Sequence, residues 1–144
     1  MTEIAFHFHV PDKLGYACRF VRKHFRGDSQ LAIIAAPDVL DQFDRMLWNV
    51  SASDFVAHCR ADSSAEMLEA SRIVLLLPHQ MPLHRQVLLN LGDDVPPVFE
   101  AFEKVVEVVS ASDASDRQLA RRRWKHYADK GFALVQHDLS QKGT

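Results

Sequence analysis

Apolar positions along the chain change their period several times, and each change marks an element. From Ile4 to Val10, the residues Ile4, Phe6, Phe8 and Val10 alternate with Ala5, His7 and His9, the period-two pattern of a strand. Pro11 ends it, and Asp12 is placed to cap a helix running to about Phe25. Gly27 and Asp28 make a turn. Leu31 to Ala36 and Ile73 to Leu77 are uninterrupted apolar runs, as expected of short strands covered on both faces. Val87 to Leu91 reads as a further strand. Between them, after Pro37, Val39, Leu40, Phe43, Met46 and Leu47 recur at helical spacing. A polar loop then leads to a brief extended piece, Phe55 to Cys59, and a polar helix-or-loop stretch. Pro96 and Pro97 break the chain before a helical turn at Phe99 to Phe102 and a β-branched strand through Val105, Val106, Val108 and Val109. A last helix spans Asp113 to about Lys130, with Gly131 as its stop. From Gln136 onward the chain is polar and reads as a fraying tail.

Strands alternating with helices predict an α/β fold, a mostly parallel sheet of about five strands with helices on both faces. The chain of 144 residues fits one domain, residues 1–144, with a sizeable core. Such sheets often bind nucleotides, but no two of the five glycines have the spacing of a phosphate loop. The expectation is therefore a nucleotide-binding-like fold without its binding loop and without a cofactor. Formal net charge is −2, whereas proteins that coat nucleic acid carry a basic excess. The two cysteines, Cys18 and Cys59, lie far apart and fit a reducing, cytoplasmic setting. The first residues lack the pattern of a signal peptide, and no apolar run is long enough to span a membrane.

Few residues invite catalysis. His7 and His9 are feasible metal ligands, since the alternation puts both on one face of the first strand, and His79 and His84 share a later loop. No third ligand is fixed beside either pair, so hydrogen-bonded histidines are the preferred reading and no metal site is expected. His58 and Cys59 are adjacent, but neighbours along a strand face opposite ways and cannot act as a nucleophile pair. Trp48 and Phe55 flank a polar loop; core filling is the usual fate of such rings, and an apolar partner surface is the alternative.

The last helix is the informative one. Arg121, Arg122 and Arg123 are consecutive, and consecutive side chains diverge by about 100° around a helix. Leu119, Ala120, Arg123 and Tyr127 share the face turned to the sheet. Arg117, Arg121, Trp124 and Ala128 share the adjoining face, while Arg122 and Lys125 point further out. The coherent unit is Arg117–Arg121–Trp124, two guanidinium groups beside an aromatic. Between residues 117 and 130 there are six basic residues and one acid, so the local field is positive. Three uses fit: a solvated helix with Trp124 in the core, a track for single-stranded DNA with a base on Trp124, or a pocket for an acidic peptide whose carboxylate an arginine takes bidentately.

The stretches "DRQLARRRWKHYADKGFAL" and "LDQFDRMLWNVSASDFVAH", with "IAFHFHV" and "FEKVVEVV", resemble the chi subunit family of bacterial DNA polymerase III over nearly the whole chain. The resemblance implies a non-catalytic replication protein that binds the psi subunit of the clamp loader on one side. On another it binds the acidic C-terminal tail of single-stranded-DNA-binding protein, a tail tipped by Pro-Phe. By position it implies that Arg117, Arg121, Trp124 and Lys125 form the tail-binding surface. It likewise assigns Trp48 and Phe55 to the psi-binding surface, which can also engage a DNA-repair helicase, and so favours their exposure. Contact with nucleic acid would be mostly indirect. Two positions depart from the family pattern, Trp124 where tyrosine is usual and Ala57 where proline is usual.

Overall fold

The structure, a computed structural model, describes residues 2–25, 30–49, 58–60, 63, 71–80 and 85–139. In chain order these form β1 (Glu3–Val10), α1 (Lys13–Phe25), β2 (Leu31–Ile34), α2 (Pro37–Trp48), β3 (Cys59–Arg60), β4 (Ile73–Leu76), β5 (Val87–Asn90), a 3-10 turn (Phe99–Ala101), β6 (Lys104–Ser110), α3 (Ala114–Asp129) and β7 (Ala133–Asp138). The strands make one sheet in the order β3-β4-β2-β5-β6-β1-β7, and every pairing is parallel. The α/β architecture is as the alternation of elements predicts. The sheet has seven strands rather than about five.

The additional strands sit at the two edges. β3 is only two residues long. β7 occupies the segment expected to fray from Gln136: it pairs with β1 from Glu3–Ala133 to Phe8–Asp138. Its side chains are half-exposed, because an edge strand is covered on one flank only, and so its sequence carries little apolar signal. Backbone pairing with β1 holds it in place of apolar burial.

Two apolar layers cover the faces. On one, α1 and α2 bury Val21, Leu40, Phe43 and Leu47 against Leu31, Ile33, Leu75 and Val106 of the sheet. On the other, Ala120 and Tyr127 of α3 and Phe99 of the 3-10 turn bury against Ile4, Phe6, Leu88 and Val105. Fully burying such side chains contributes roughly 1.5–3 kcal/mol each, so these two layers supply the main favourable term. Local signals set the helix ends. The Asp12 carboxylate accepts from the Gly15 N–H at 3.2 Å. Asp113 accepts from the N–H groups of Ser115 and Asp116 at 3.0 and 3.2 Å. Gly131 leaves α3 at φ 81°, a left-handed conformation that glycine adopts without Cβ strain.

The strict alternation expected of β1 fails at its end. His9 has φ 59°, and the register against β6 slips between His7 and Val10. This bulge reverses the parity of the strand. Val10 packs in the α1–α2 layer instead of joining Ile4 and Phe6, and His9 leaves the face of His7.

A polar knot lies inside the second layer. Glu107 is fully buried on β6, and its carboxylate accepts from Arg123 Nε at 2.9 Å, from the Tyr127 hydroxyl at 2.7 Å and from Asn90 Nδ2 at 3.0 Å. Arg123 Nη1 donates to the Asp93 carbonyl at 2.9 Å. Burial pushes the Glu107 carboxyl upward, while the Arg123 charge and the three donors oppose that rise. Removing one member of a buried pair leaves an uncompensated charge. Arg123→Ala is therefore expected to lower unfolding free energy by about 3–5 kcal/mol. Arg122→Ala, at an exposed position, is expected to stay within about 0.5 kcal/mol of wild type. Urea denaturation of both variants checks the contrast.

Candidate functional site

One cleft of about 340 Å³ gathers most of the residues that the helix geometry groups together. Arg117, Ala120, Arg121 and Trp124 form its α3 wall; Phe6, Phe8 and His9 come from β1, Val109 from β6 and Gln136 from β7. Arg123 is 1% exposed and absent from the cleft wall, so the arginine run divides as the 100° spacing requires. Trp124 stands edge-on to Phe6, with ring centroids 5.1 Å apart and planes at 64°. The indole is half-buried and packs on the α3 layer, so it floors the cleft rather than projecting from it.

The two guanidinium groups differ in freedom. Arg117 donates through Nη1 to the Ala111 carbonyl at 2.5 Å, which steers it along the start of α3. Arg121 is exposed and makes no hydrogen bond or ion pair with the described residues. A planar cation with all its donors open, beside two phenyl rings and an indole, suits a carboxylate carried next to an apolar side chain. Lys125 is exposed one turn beyond Arg121 and does not line the cleft.

Phe6, Phe8 and Gln136 are not among the candidates read from the sequence, and His9 is named there only as a feasible metal ligand. They reach the cleft through the β6-β1-β7 order, which brings together segments more than a hundred positions apart. Helical spacing within α3 holds no trace of that adjacency.

Trp48 lies elsewhere, at the end of α2, and is 51% exposed. Its ring lies 4.5 Å from that of His58. His58 Nε2 is 2.7 Å from Asp44 Oδ1, and Arg60 donates to Asp41 at 3.0 Å. Phe55 is outside the described residues, as are Ala57 and His84. His58 precedes β3, so this patch borders the sheet edge opposite β7. Six strand spacings, roughly 29 Å, separate the two edges.

The remaining candidates are engaged in local contacts. His7 Nδ1 is bonded to the Tyr16 hydroxyl, and its ring packs edge-on to Phe20. His9 Nδ1 is 2.7 Å from Asp138 Oδ1. The expected shared face of His7 and His9 is therefore not formed, because the bulge separates them. Among the described residues no group of three or more histidine, cysteine, aspartate or glutamate side chains is arranged to hold a metal. Burial pushes the Cys18 thiol up to about 11, so it is protonated and unreactive at neutral pH. No helix among the described residues is long and apolar enough to cross a membrane.

The model of the family described as "DNA polymerase III chi subunit, HolC" matches residues 1–135. This chain belongs to the DNA polymerase III chi subunit family. The DNA polymerase III subunit chi of Pseudomonas aeruginosa is 29% identical over 128 residues, covering 88% of this chain and 87% of that one. Chi is a subunit of a replicative polymerase, so the chain takes its place in DNA replication. A solved structure of the C-terminal domain of the DEAD-box protein Dbp5 covers 97% of this chain and 91% of its own, with TM-score 0.64 and 9% identity. At that identity the likeness is one of fold alone.

Asp116, in the first turn of α3, ties the start of that helix to α1 and β6. Its carboxylate accepts from Lys13 Nζ at 2.8 Å and from the Ser110 N–H at 2.8 Å. Burial alone would raise this carboxyl, but the Lys13 and Ser110 hydrogen bonds and the Lys13 and Arg123 charges hold it below the ordinary aspartate value. A depressed carboxyl contributes stability that is fully present above the unfolded pKa, about 3.9, and is lost as pH falls through the lower folded value. Asp116→Asn is expected to lose about 1–3 kcal/mol at neutral pH. It should also show a shallower acid limb than wild type in urea denaturation repeated from neutral pH down to about pH 3.

Proposed function

We propose that this chi subunit is a non-catalytic tether, holding the clamp loader through psi and single-stranded-DNA-binding protein through its acidic C-terminal tail. The observation that carries the reading is the cleft itself: Arg117 and Arg121 border an aromatic floor of Phe6, Phe8 and Trp124. A tail that ends in an apolar residue with a free carboxylate presents the two groups this cleft accommodates, an apolar side chain for the floor and an anion for Arg121. The acidic residues before the tip would be drawn by the positive field of α3, to which exposed Lys125 and Arg122 contribute from outside the cleft.

A direct grip on single-stranded DNA fits less well. Such proteins run a basic groove along many phosphates and stack successive bases. Here Arg123 is buried, Trp124 is packed on the core, and the net charge is −2. The Trp48 patch supports a second contact, read as the psi surface with a repair helicase as alternative occupant. Tryptophan is among the side chains enriched at interface hot spots, and Trp48 is exposed. Two modest contacts on one small domain raise the effective concentration of each partner at the other. On this reading the protein works in the bacterial cytoplasm and does no chemistry of its own.

A labelled acidic peptide ending in Pro-Phe is expected to bind the purified protein, and Arg121→Ala to weaken it about tenfold or more. Affinity should fall as salt rises from low to physiological strength, because surface charge pairs are screened. Fluorescence anisotropy against peptide and against an oligonucleotide of similar length decides the matter. Oligonucleotide binding without peptide binding would sink the tether.

A further inference from the structure

His9 is the one described non-glycine residue with positive φ, at 59°. Histidine tolerates that region better than most side chains, yet a strained residue persists only where its surroundings hold it. The bulge moves His9 from the face of His7 into the wall of the cleft, next to Phe8, with ring centroids 4.7 Å apart. Without the slip in register, the imidazole would lie over α1 and the cleft would hold only the two arginines as cations.

The neighbours of His9 set its chemistry. Asp138 of β7 holds Nδ1 at 2.7 Å, and a carboxylate can only accept, so Nδ1 carries the proton. In the neutral ring, Nε2 then offers a lone pair; it makes no hydrogen bond to the described residues. The second proton can enter only there, and it converts Nε2 from acceptor to donor. Across the cleft stand Arg117 and Arg121 of α3, while Phe8 of β1 and Val109 of β6 are uncharged. His7 is on the other face, against Tyr16. Asp138, Arg117 and Arg121 are thus the charged groups around this imidazole. An anion entering the cleft would meet Nε2 as a donor only when the ring is doubly protonated.

We propose that His9 is a third anion-recognising contact of the cleft, switched on by protonation, for the carboxylate-bearing end of an acidic peptide. The inference rests on the tail-binding reading above and adds a residue and a pH response to it. Proton uptake and peptide binding are reciprocally coupled: a lower pH tightens the peptide, and the peptide raises the pH at which His9 becomes charged.

The test measures anisotropy of the Pro-Phe peptide at fixed ionic strength between about pH 6 and about pH 8.5, a range in which the peptide carboxylates stay ionised. Wild type should bind about three- to tenfold more tightly at the acid end. His9→Asn is the first variant, because asparagine tolerates left-handed backbone. It should bind at all pH values as wild type does at the alkaline end. His9→Lys should bind tightly with little pH dependence. A His9→Asn protein that keeps the wild-type pH slope overturns the inference, and if Arg121→Ala still abolishes binding, the tail reading stands without it. No peptide binding to wild type at any pH overturns both. An NMR titration of the His9 ring in the unmutated protein guards against misfolded variants. Its midpoint should rise on peptide saturation, and an unmoved midpoint refutes the coupling.

Discussion

The burial of Arg123 against Glu107 is the constraint on which the rest of the cleft depends. A helix with cationic side chains on several faces has no strong apolar stripe to choose its rotation. α3 buries Ala120 and Tyr127 for that purpose, but two apolar side chains leave its rotation loosely set. A 2.9 Å bond from Arg123 Nε to a fully buried carboxylate does not. Once Arg123 points inward, Arg121 and Trp124 must fall to one flank and Arg122 to the other. Tyr127, one turn on, donates to the second oxygen of the same carboxylate and fixes the axial position as well. A buried ion pair gives weak net stability relative to an apolar substitute, so its use here is better understood as setting orientation.

The opposite wall depends on a second constraint, the parity of β1. Parallel pairing with both β6 and β7 keeps β1 buried at the centre of this half of the sheet. A regular strand would alternate to its end and send Val10 toward α3. The single-residue slip at His9 serves both faces: Val10 fills the α1–α2 core, and the imidazole joins Phe6 and Phe8. Asp138 can reach His9 because β7 continues alongside β1 as far as Phe8. The terminal edge strand is therefore part of the cleft rather than an appendage.

Much of this was legible in the sequence, for physical reasons that differ by element. The buried strands β2 and β4 are short and wholly apolar, β5 is apolar up to Asn90, and the cap Asp12 and the stop Gly131 announce their helices. The division of the arginine run follows from helix geometry alone. Three features were hidden. β7 reads as a tail because half-exposed edge strands carry polar residues. The bulge at His9 is a backbone event with no glycine or asparagine to advertise it. The partner that makes Arg123 a core residue, Glu107, stands in a run of valines where a charge looks like an interruption of the strand. The Trp48 side chain was harder to place, since composition favours a buried indole, and only the family resemblance pointed to the exposure that the structure has.

The two candidate surfaces lie at opposite edges of one sheet, and this bears on how a tether can work. A parallel sheet covered on both faces is stiff, and contacts at its edges couple weakly unless a two-state element joins them. None of the interactions described for the Arg123–Glu107 knot reaches α2, and Trp48 packs with His58 beyond the far strands. Among the described residues, these contacts give occupation of one edge no route to the affinity of the other. On the proposed tether reading, the linker would gain from proximity alone: its advantage would come from effective concentration, with each contact weak enough to exchange. A domain that instead passed a signal between partners would need a mobile element between the edges, and the apolar layers of α1, α2 and α3 bury the sheet there on both sides.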